Sequence, residues 1–335
     1  MAFHVCQDVR AAMLLGTVVF VAFACNSPFA STSSGPSTSA GVQAAYTSVV
    51  NAVSPSIVLI ETSSGLGSGV VLNQQGDIVT NAHVLGSASS FRVTTADGKQ
   101  YPATLVGAYV PSDLAVIKTS ATGLRPALWA DSSKLQVGLM VLAMGNPLGF
   151  ESSVTEGIVS GLGRTVTEPD GAILANLVQT SAAINPGNSG GGLVDLHDQV
   201  VGMPTLGAVD PQMGAAAPGI GFALPSNTVT DYANQIVKNG RVVNTRRAYL
   251  GVQLGDVTGS GGAVVLGFAS DSPARSGGVQ VGDIITSIDG QPIGSSTALD
   301  ERLAGLAPGD TATLAIKRNG QGLSVKVTLG TLPAQ

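Results

Sequence analysis

From Ser56 onward the apolar residues fall in short runs broken by single Gly, Asp and Asn residues. Ser56 to Thr62, Gly69 to Leu72, Asp77 to Thr80, Phe91 to Thr94, Thr104 to Gly107 and Leu114 to Ile117 come first. Val141 to Met144, Ser153 to Val159, Leu177 to Thr180, Gly192 to Val194, Gln199 to Val201 and Gly221 to Leu224 follow. About a dozen short strands with almost no helical periodicity predict antiparallel barrels or a sandwich. Two stretches break the pattern. Val42 to Val53 is weakly amphipathic and ends at Ser54-Pro55, because a residue before proline avoids the helical region. Val229, Tyr232, Ile236 and Val237 recur at helical spacing within 228–238, with Asn239-Gly240 as the stop.

Composition agrees with a strand-rich chain. Charged residues are 11% and glycines number 44 in 335 residues, a length that suggests two domains. The net charge of −5 gives no reason to expect nucleic acid as a partner. Both cysteines, Cys6 and Cys25, lie at the N-terminus, so the body holds no disulfide framework, cysteine nucleophile or thiolate metal site.

The segment 1–25 has the form of a signal or anchor. Arg10 precedes an apolar run from Ala11 to Cys25, shorter than the roughly 20 residues of a membrane-spanning helix. Ala22-Phe23-Ala24 is a cleavage pattern, and Cys25 directly after it is a candidate lipidation site. Lipidation, plain cleavage and a retained anchor all remain open, the first and last giving membrane attachment through the N-terminus. Residues 26–41 are mostly Ser, Thr, Gly, Pro and Ala, a tether-like composition that cannot bury a core.

The chemistry centres on Asn185-Pro186-Gly187-Asn188-Ser189-Gly190-Gly191-Gly192. A serine among glycines at a tight turn can present its hydroxyl beside several backbone N–H groups, as acyl transfer requires. Such a run can equally be a plain turn. A nucleophilic serine needs a base, and the chain has three histidines. His4 is in the leader and His197 sits in a polar turn, which leaves His83, after the strand Asp77 to Thr80. Asp113 opens the apolar run Leu114 to Ile117, a costly place for a charge without a partner. Alone, His83 reads as readily as a structural histidine and Asp113 as a turn aspartate.

Six separated strings then match one family. Gly67 to Val71, Val79 to Val84, Ser112 to Val116, Gly145 to Gly149, Gln179 to Gly191 and Gly219 to Ser226 resemble the HtrA (Deg) serine proteases, and the likeness runs from about residue 42 to 331. It implies a mostly β fold: a chymotrypsin-like double β-barrel over 42–240, a linker at 241–247 and a PDZ domain over 248–332. Carried over, Ser189 is the nucleophile, His83 the general base and Asp113 the orienting acid. Gly187 and Ser189 supply the oxyanion-hole N–H groups. Ala182, Ala183 and Ile184 line the primary specificity pocket. With no acid there, cleavage should follow small or medium aliphatic residues.

Ser181 stands where the family usually has Asp, and Pro204 where it usually has Asn. The segment 163–175 matches a loop that senses the activated state. In the PDZ-like part, Tyr249-Leu250-Gly251-Val252 opens a strand and matches the loop that binds a peptide's C-terminal carboxylate. Leu299, Leu303 and Leu306 are assigned to its core. The resemblance implies an exported homotrimer of the bacterial cell envelope, acting on unfolded or regulatory proteins and needing no metal or cofactor. Two rivals remain: a PDZ adaptor or chaperone whose protease domain is a scaffold, and a processing protease with one dedicated substrate.

Overall fold

The computed structural model describes residues 38–63, 65–88, 90–146, 153–167, 173–185, 187–210, 215–257 and 261–334. The expected leader and Cys25 lie outside them. The first helix, α1 (Thr38–Val53), starts upstream of the expected Val42. Ala40, Ala44 and Ala45 are strong helix formers, and the single Gly41 does not outweigh them.

Six strands then close a barrel: β1 (Ile57–Glu61), β2 (Leu66–Val71), β3 (Asp77–Thr80), β4 (Phe91–Thr94), β5 (Gln100–Tyr109) and β6 (Leu114–Thr119), in the order β1-β2-β3-β6-β5-β4. A one-turn helix, α2 (Ala82–Leu85), follows β3. The second unit contains β7 (Leu128–Trp129), β8 (Met140–Gly145), β9 (Ser153–Thr167), β10 (Ile173–Thr180), β11 (Gly192–Asp195), β12 (Gln199–Asp210) and β13 (Ala215–Pro225). Its sheet runs β11-β8-β9-β10-β13-β12, and β11 also pairs β12, which closes a second barrel with β7 attached.

The unbroken apolar runs have a reason in this arrangement. Successive side chains of a strand point to opposite faces. Val58, Ile60, Ala115 and Ile117 fill the first barrel, and Val141, Ala143 and Leu193 fill the second. Their neighbours Ile57, Val116, Leu142 and Val194 join a third cluster between the barrels. Both faces are buried, so alternation vanishes. The helix α3 (Ser226–Asn239) adds Val229, Tyr232, Ala233 and Ile236 to that shared core, and ends with Gly240 at φ +72° donating to Ile236 O.

The last unit has the strand order β15 (Val252–Asp256), β16 (Ala263–Phe268), β17 (Ile284–Ile288), β19 (Thr311–Arg318) and β20 (Gln321–Thr328). Two short pieces pair as β14 (Ala248–Tyr249) with β21 (Gly330–Thr331), and β18 (Gln291–Pro292) pairs β17. The helices α4 (Pro273–Ser276) and α5 (Ser296–Leu303) complete it. Leu299 and Leu303 are core, with Leu306 partly buried against them. The expected strand through 249–252 is broken at Leu250-Gly251. Gly251 takes φ +71°, and a Cβ there would lie 2.7 Å from Ser272 Cα. Among the described residues no helix is long and apolar enough to cross a membrane.

Candidate active site

His83 sits on α2, just past the barrel strand β3. Asp113 ends the turn between β5 and β6, in the left-handed conformation at φ +48°. Ser189 lies on the loop from β10 to β11, in the other barrel. His83 and Ser189 line one cleft between the barrels, of about 400 Å³, with Leu66, Val84, Ile184, Gly187 and Thr205.

Asp113 is 9% exposed at its side chain, and His83 is 50% exposed. The carboxylate is buried but satisfied. Its Oδ2 lies 2.7 Å from His83 Nδ1, and its Oδ1 accepts the His83 backbone N–H at 2.9 Å. Thr205 Oγ1 donates to the same Oδ2, and Asn81 Nδ2 donates to the Asp113 carbonyl at 2.9 Å. A carboxylate only accepts, so Nδ1 carries the imidazole proton and Nε2 is left basic. The Ser189 hydroxyl lies 3.4 Å from the Thr205 carbonyl.

The loop carrying Ser189 is tied down by its own groups. Asn188 is buried; its Oδ1 accepts from Asn185 N at 3.0 Å and its Nδ2 donates to Ala183 O at 3.0 Å. Gly191 N donates to Asn188 O at 3.0 Å, which turns the trans-related Ser189 N–H the other way. Gly190 has φ +78°, and a Cβ on it would strike Ser68 O and Thr80 Oγ1. This is why glycine follows the serine.

A match to the trypsin-like peptidase domain covers residues 67–203, and a match to the PDZ domain covers 248–329. The serine endoprotease DegS of Escherichia coli (strain K12) is 36% identical over 280 residues, which cover 80% of this chain and 78% of DegS. The chain belongs to the HtrA/Deg family of serine endoproteases. A probable periplasmic serine endoprotease, DegP-like, from Pseudomonas fulva (strain 12-X) is 38% identical over 282 residues, but the chain spans only 57% of its length. Among solved structures, the HtrA-type protease AlgW with a tripeptide superposes with a TM-score of 0.63 at 32% identity, covering 87% of this chain and 98% of that one. A serine endoprotease from Yersinia pestis superposes at 0.60 with 34% identity, over 86% and 98% of the two chains.

The other residues singled out in the sequence of this HtrA/Deg chain are placed unevenly. Ile184 lines the cleft. Ala182 is fully buried in the second barrel, and Ala183 is exposed, its carbonyl accepting from Thr155 Oγ1 and Asn188 Nδ2. His197 is exposed, its Nδ1 3.5 Å from Asp195. Ser181 Oγ accepts from Ile158 N at 3.0 Å, fastening the loop to β9. Pro204 pairs with Ala223 beside a bulge, and its carbonyl accepts the Gly190 N–H at 3.0 Å. The segment 163–175, expected to sense the activated state, is strand at both ends, with 168–172 outside the described residues, and Arg164 Nε donates to Gln179 Oε1 at 2.9 Å across the β9–β10 pair.

Tyr249, Leu250, Gly251 and Val252 line a cavity of about 760 Å³. Its other walls include Leu303 of α5 and, from the first barrel, Tyr109, Val110 and Pro111. Sequence reasoning missed Thr205, Asn81 and Asn188. Thr205 is separated from Asp113 by 92 positions, so nothing local signals it. Asn81 and Asn188 were detectable as amide side chains in the motifs holding His83 and Ser189.

Proposed function

We propose that this chain hydrolyses peptide bonds through an acyl-enzyme. Ser189 Oγ attacks the scissile carbonyl while His83 Nε2 takes its proton. The carbonyl oxygen, now an anion, accepts from the N–H groups of Gly187 and Ser189. The C–N bond breaks as His83 returns the proton to the leaving amine, and water then releases the acyl group by the same steps. Asp113 holds the ring and stabilises its cation. The observation that carries this reading is the buried Asp113 carboxylate, 2.7 Å from His83 Nδ1 and 2.9 Å from its backbone N–H, behind the histidine that lines one cleft with Ser189.

Cleavage after small or medium aliphatic residues fits Ile184 at the cleft. The PDZ part binds C-terminal peptides through Tyr249 to Val252, whose cavity also touches the turn before Asp113. Substrates are unfolded or regulatory proteins of the cell envelope, met by a homotrimer that is exported and tethered through its N-terminus. The periplasmic name of the DegP-like relative supports the location.

The test is digestion of an unfolded casein by the parent and by Ser189→Ala, with and without a library of C-terminal peptides. Cleavage by the parent alone, cutting after Val, Ala or Ile, is expected. Cleavage only with peptide identifies a gated enzyme. Silence in every arm leaves the adaptor, and cuts dominated by Lys or Arg overturn the pocket assignment.

A further inference from the structure

Ser68 lies on β2, fully buried, where the strand passes beneath the Ser189 loop. Its hydrogen-bonding groups are all engaged. The backbone N–H donates to Ser189 O at 3.0 Å, and the carbonyl accepts from Thr80 Oγ1 at 2.7 Å. The hydroxyl accepts from the Asn146 backbone N–H at 2.8 Å and donates to Gly187 O at 2.5 Å. An N–H can only donate and a carbonyl can only accept, so the single hydroxyl proton is committed to Gly187.

The destinations of these bonds matter more than their number. Gly187 and Ser189 flank Asn188, and Ser68 holds the carbonyl of each. A trans peptide sets its N–H opposite its carbonyl, so pinning the Gly187 carbonyl fixes the plane of the Gly187–Asn188 peptide. The Asn188 carbonyl is held separately by Gly191 N. Three consecutive carbonyls from Gly187 to Ser189 are therefore bonded on the protein side. Gly145 leaves the space: a Cβ there would lie 2.5 Å from Gly187 O and 2.5 Å from Asn188 Cα.

We propose that Ser68 is a positioning residue for the oxyanion hole, its hydroxyl holding the Gly187–Asn188 peptide, which lies between the two peptides carrying the Gly187 and Ser189 N–H groups, so that those donors keep their aim. This deepens the reading of Ser189 as nucleophile and rests on it. A buried serine that merely satisfied two strands would stabilise the fold without bearing on transition-state charge.

The experiment uses the full chain and a fluorophosphonate probe. Attack by Ser189 Oγ forms the O–P bond and expels fluoride, the serine proton passing to His83, while the P–O oxygen takes the oxyanion's place. Ser68→Ala is expected to react about 10- to 100-fold more slowly than the parent, less than the roughly 100- to 1000-fold cost of losing an oxyanion donor outright. In casein cleavage its kcat should fall with KM unchanged, and the pH midpoint assigned to His83 should stay where it is. Ser68→Cys fills the same space with a weak donor and should fall between the two, which also carries the test if Ser68→Ala does not fold. Thr80→Val loses a buried hydrogen bond of the same strand pair; its melting temperature should drop while labelling stays within about threefold of the parent. Ser68→Ala labelled as fast as the parent, or both variants slowed equally, overturns the proposal. A parent that takes no label at Ser189 overturns the underlying nucleophile reading instead.

Discussion

Thr205 touches both ends of the proposed relay. Its hydroxyl donates to Asp113 Oδ2, and its carbonyl lies 3.4 Å from Ser189 Oγ. Thr205→Val keeps the shape and the carbonyl but takes one donor from a buried carboxylate. A hydrogen bond to a charged group is worth about 1.5–3 kcal/mol, so kcat should fall roughly 10- to 100-fold. KM for a short peptide should hold, because the hydroxyl faces the acid and not the cleft. Steady-state kinetics on a peptide with valine before the scissile bond check this, and an unchanged kcat rules the contact out as a contributor. Residues like Thr205 show where sequence reading stops. His83, Asp113 and Ser189 sit in recognisable local strings, whereas Thr205 reaches Asp113 only because β12 is folded back against the first barrel.

Among the elements, the local ones were legible. Asn319-Gly320 joins β19 to β20 with φ +50° and +81°, and Asp289-Gly290 joins β17 to β18 with φ +48° and +76°. Those positive values are what such dipeptides favour in tight hairpins. The long strands were not legible. β9 has 15 residues and β12 has 12, far beyond their apolar cores, because pairing with β8, β10 and β13 supplies backbone bonds where glycines interrupt the pattern. The two-residue parallel contact of β7 with β12 left no trace in the sequence.

The PDZ sheet carries a prediction of its own. Burial pushes the Asp283 carboxyl up, but the Arg318 fork and the Gln280 N–H outweigh it, so the carboxyl titrates below its ordinary value. Arg318 Nε and Nη2 lie 2.7 and 2.8 Å from its oxygens. A carboxyl depressed on folding adds stability above the unfolded value of about 4 and loses it as pH falls through the folded value. The PDZ unfolding midpoint in urea should therefore hold down to about pH 5 and drop as pH falls from there through the folded value. In Arg318→Gln, which takes the fork from a buried carboxylate, stability at neutral pH should fall and the loss in acid should shrink. A midpoint that ignores both changes removes the pair from the account of stability.

At the scale of the whole molecule, hydrogen bonds through the linker tie the protease and PDZ units together. Tyr232 of α3 donates its hydroxyl to Thr245 O, and its ring meets Tyr109 edge-on at 5.3 Å. Burial, then Tyr109, pushes this phenol up to about 12, so it remains a donor across the physiological range. Thr245 Oγ1 in turn donates to Leu332 O at 2.7 Å, and Leu332 N donates to Arg247 O at 2.8 Å. Tyr232→Phe combined with Thr245→Val should remove about 1 kcal/mol per bond and split one calorimetric transition into two. A single unshifted transition would mean that the units are held by other contacts.

The cavity shared by Tyr249 to Val252 and the turn at Tyr109 to Pro111 binds the molecule to an exchange it cannot avoid. Pro111 is two residues from Asp113. Whatever a ligand in that cavity does to the affinity of an active-site inhibitor, the inhibitor must do to the ligand, by the same factor. Titrating a fluorescent C-terminal peptide before and after loading the cleft with a reversible peptide aldehyde measures that factor from the far side. A tenfold gain in peptide affinity would mean that about 1.4 kcal/mol passes between the two sites, and the tail of a substrate would be gripped hardest while its body is being cut. Equal affinities would leave the two sites energetically independent.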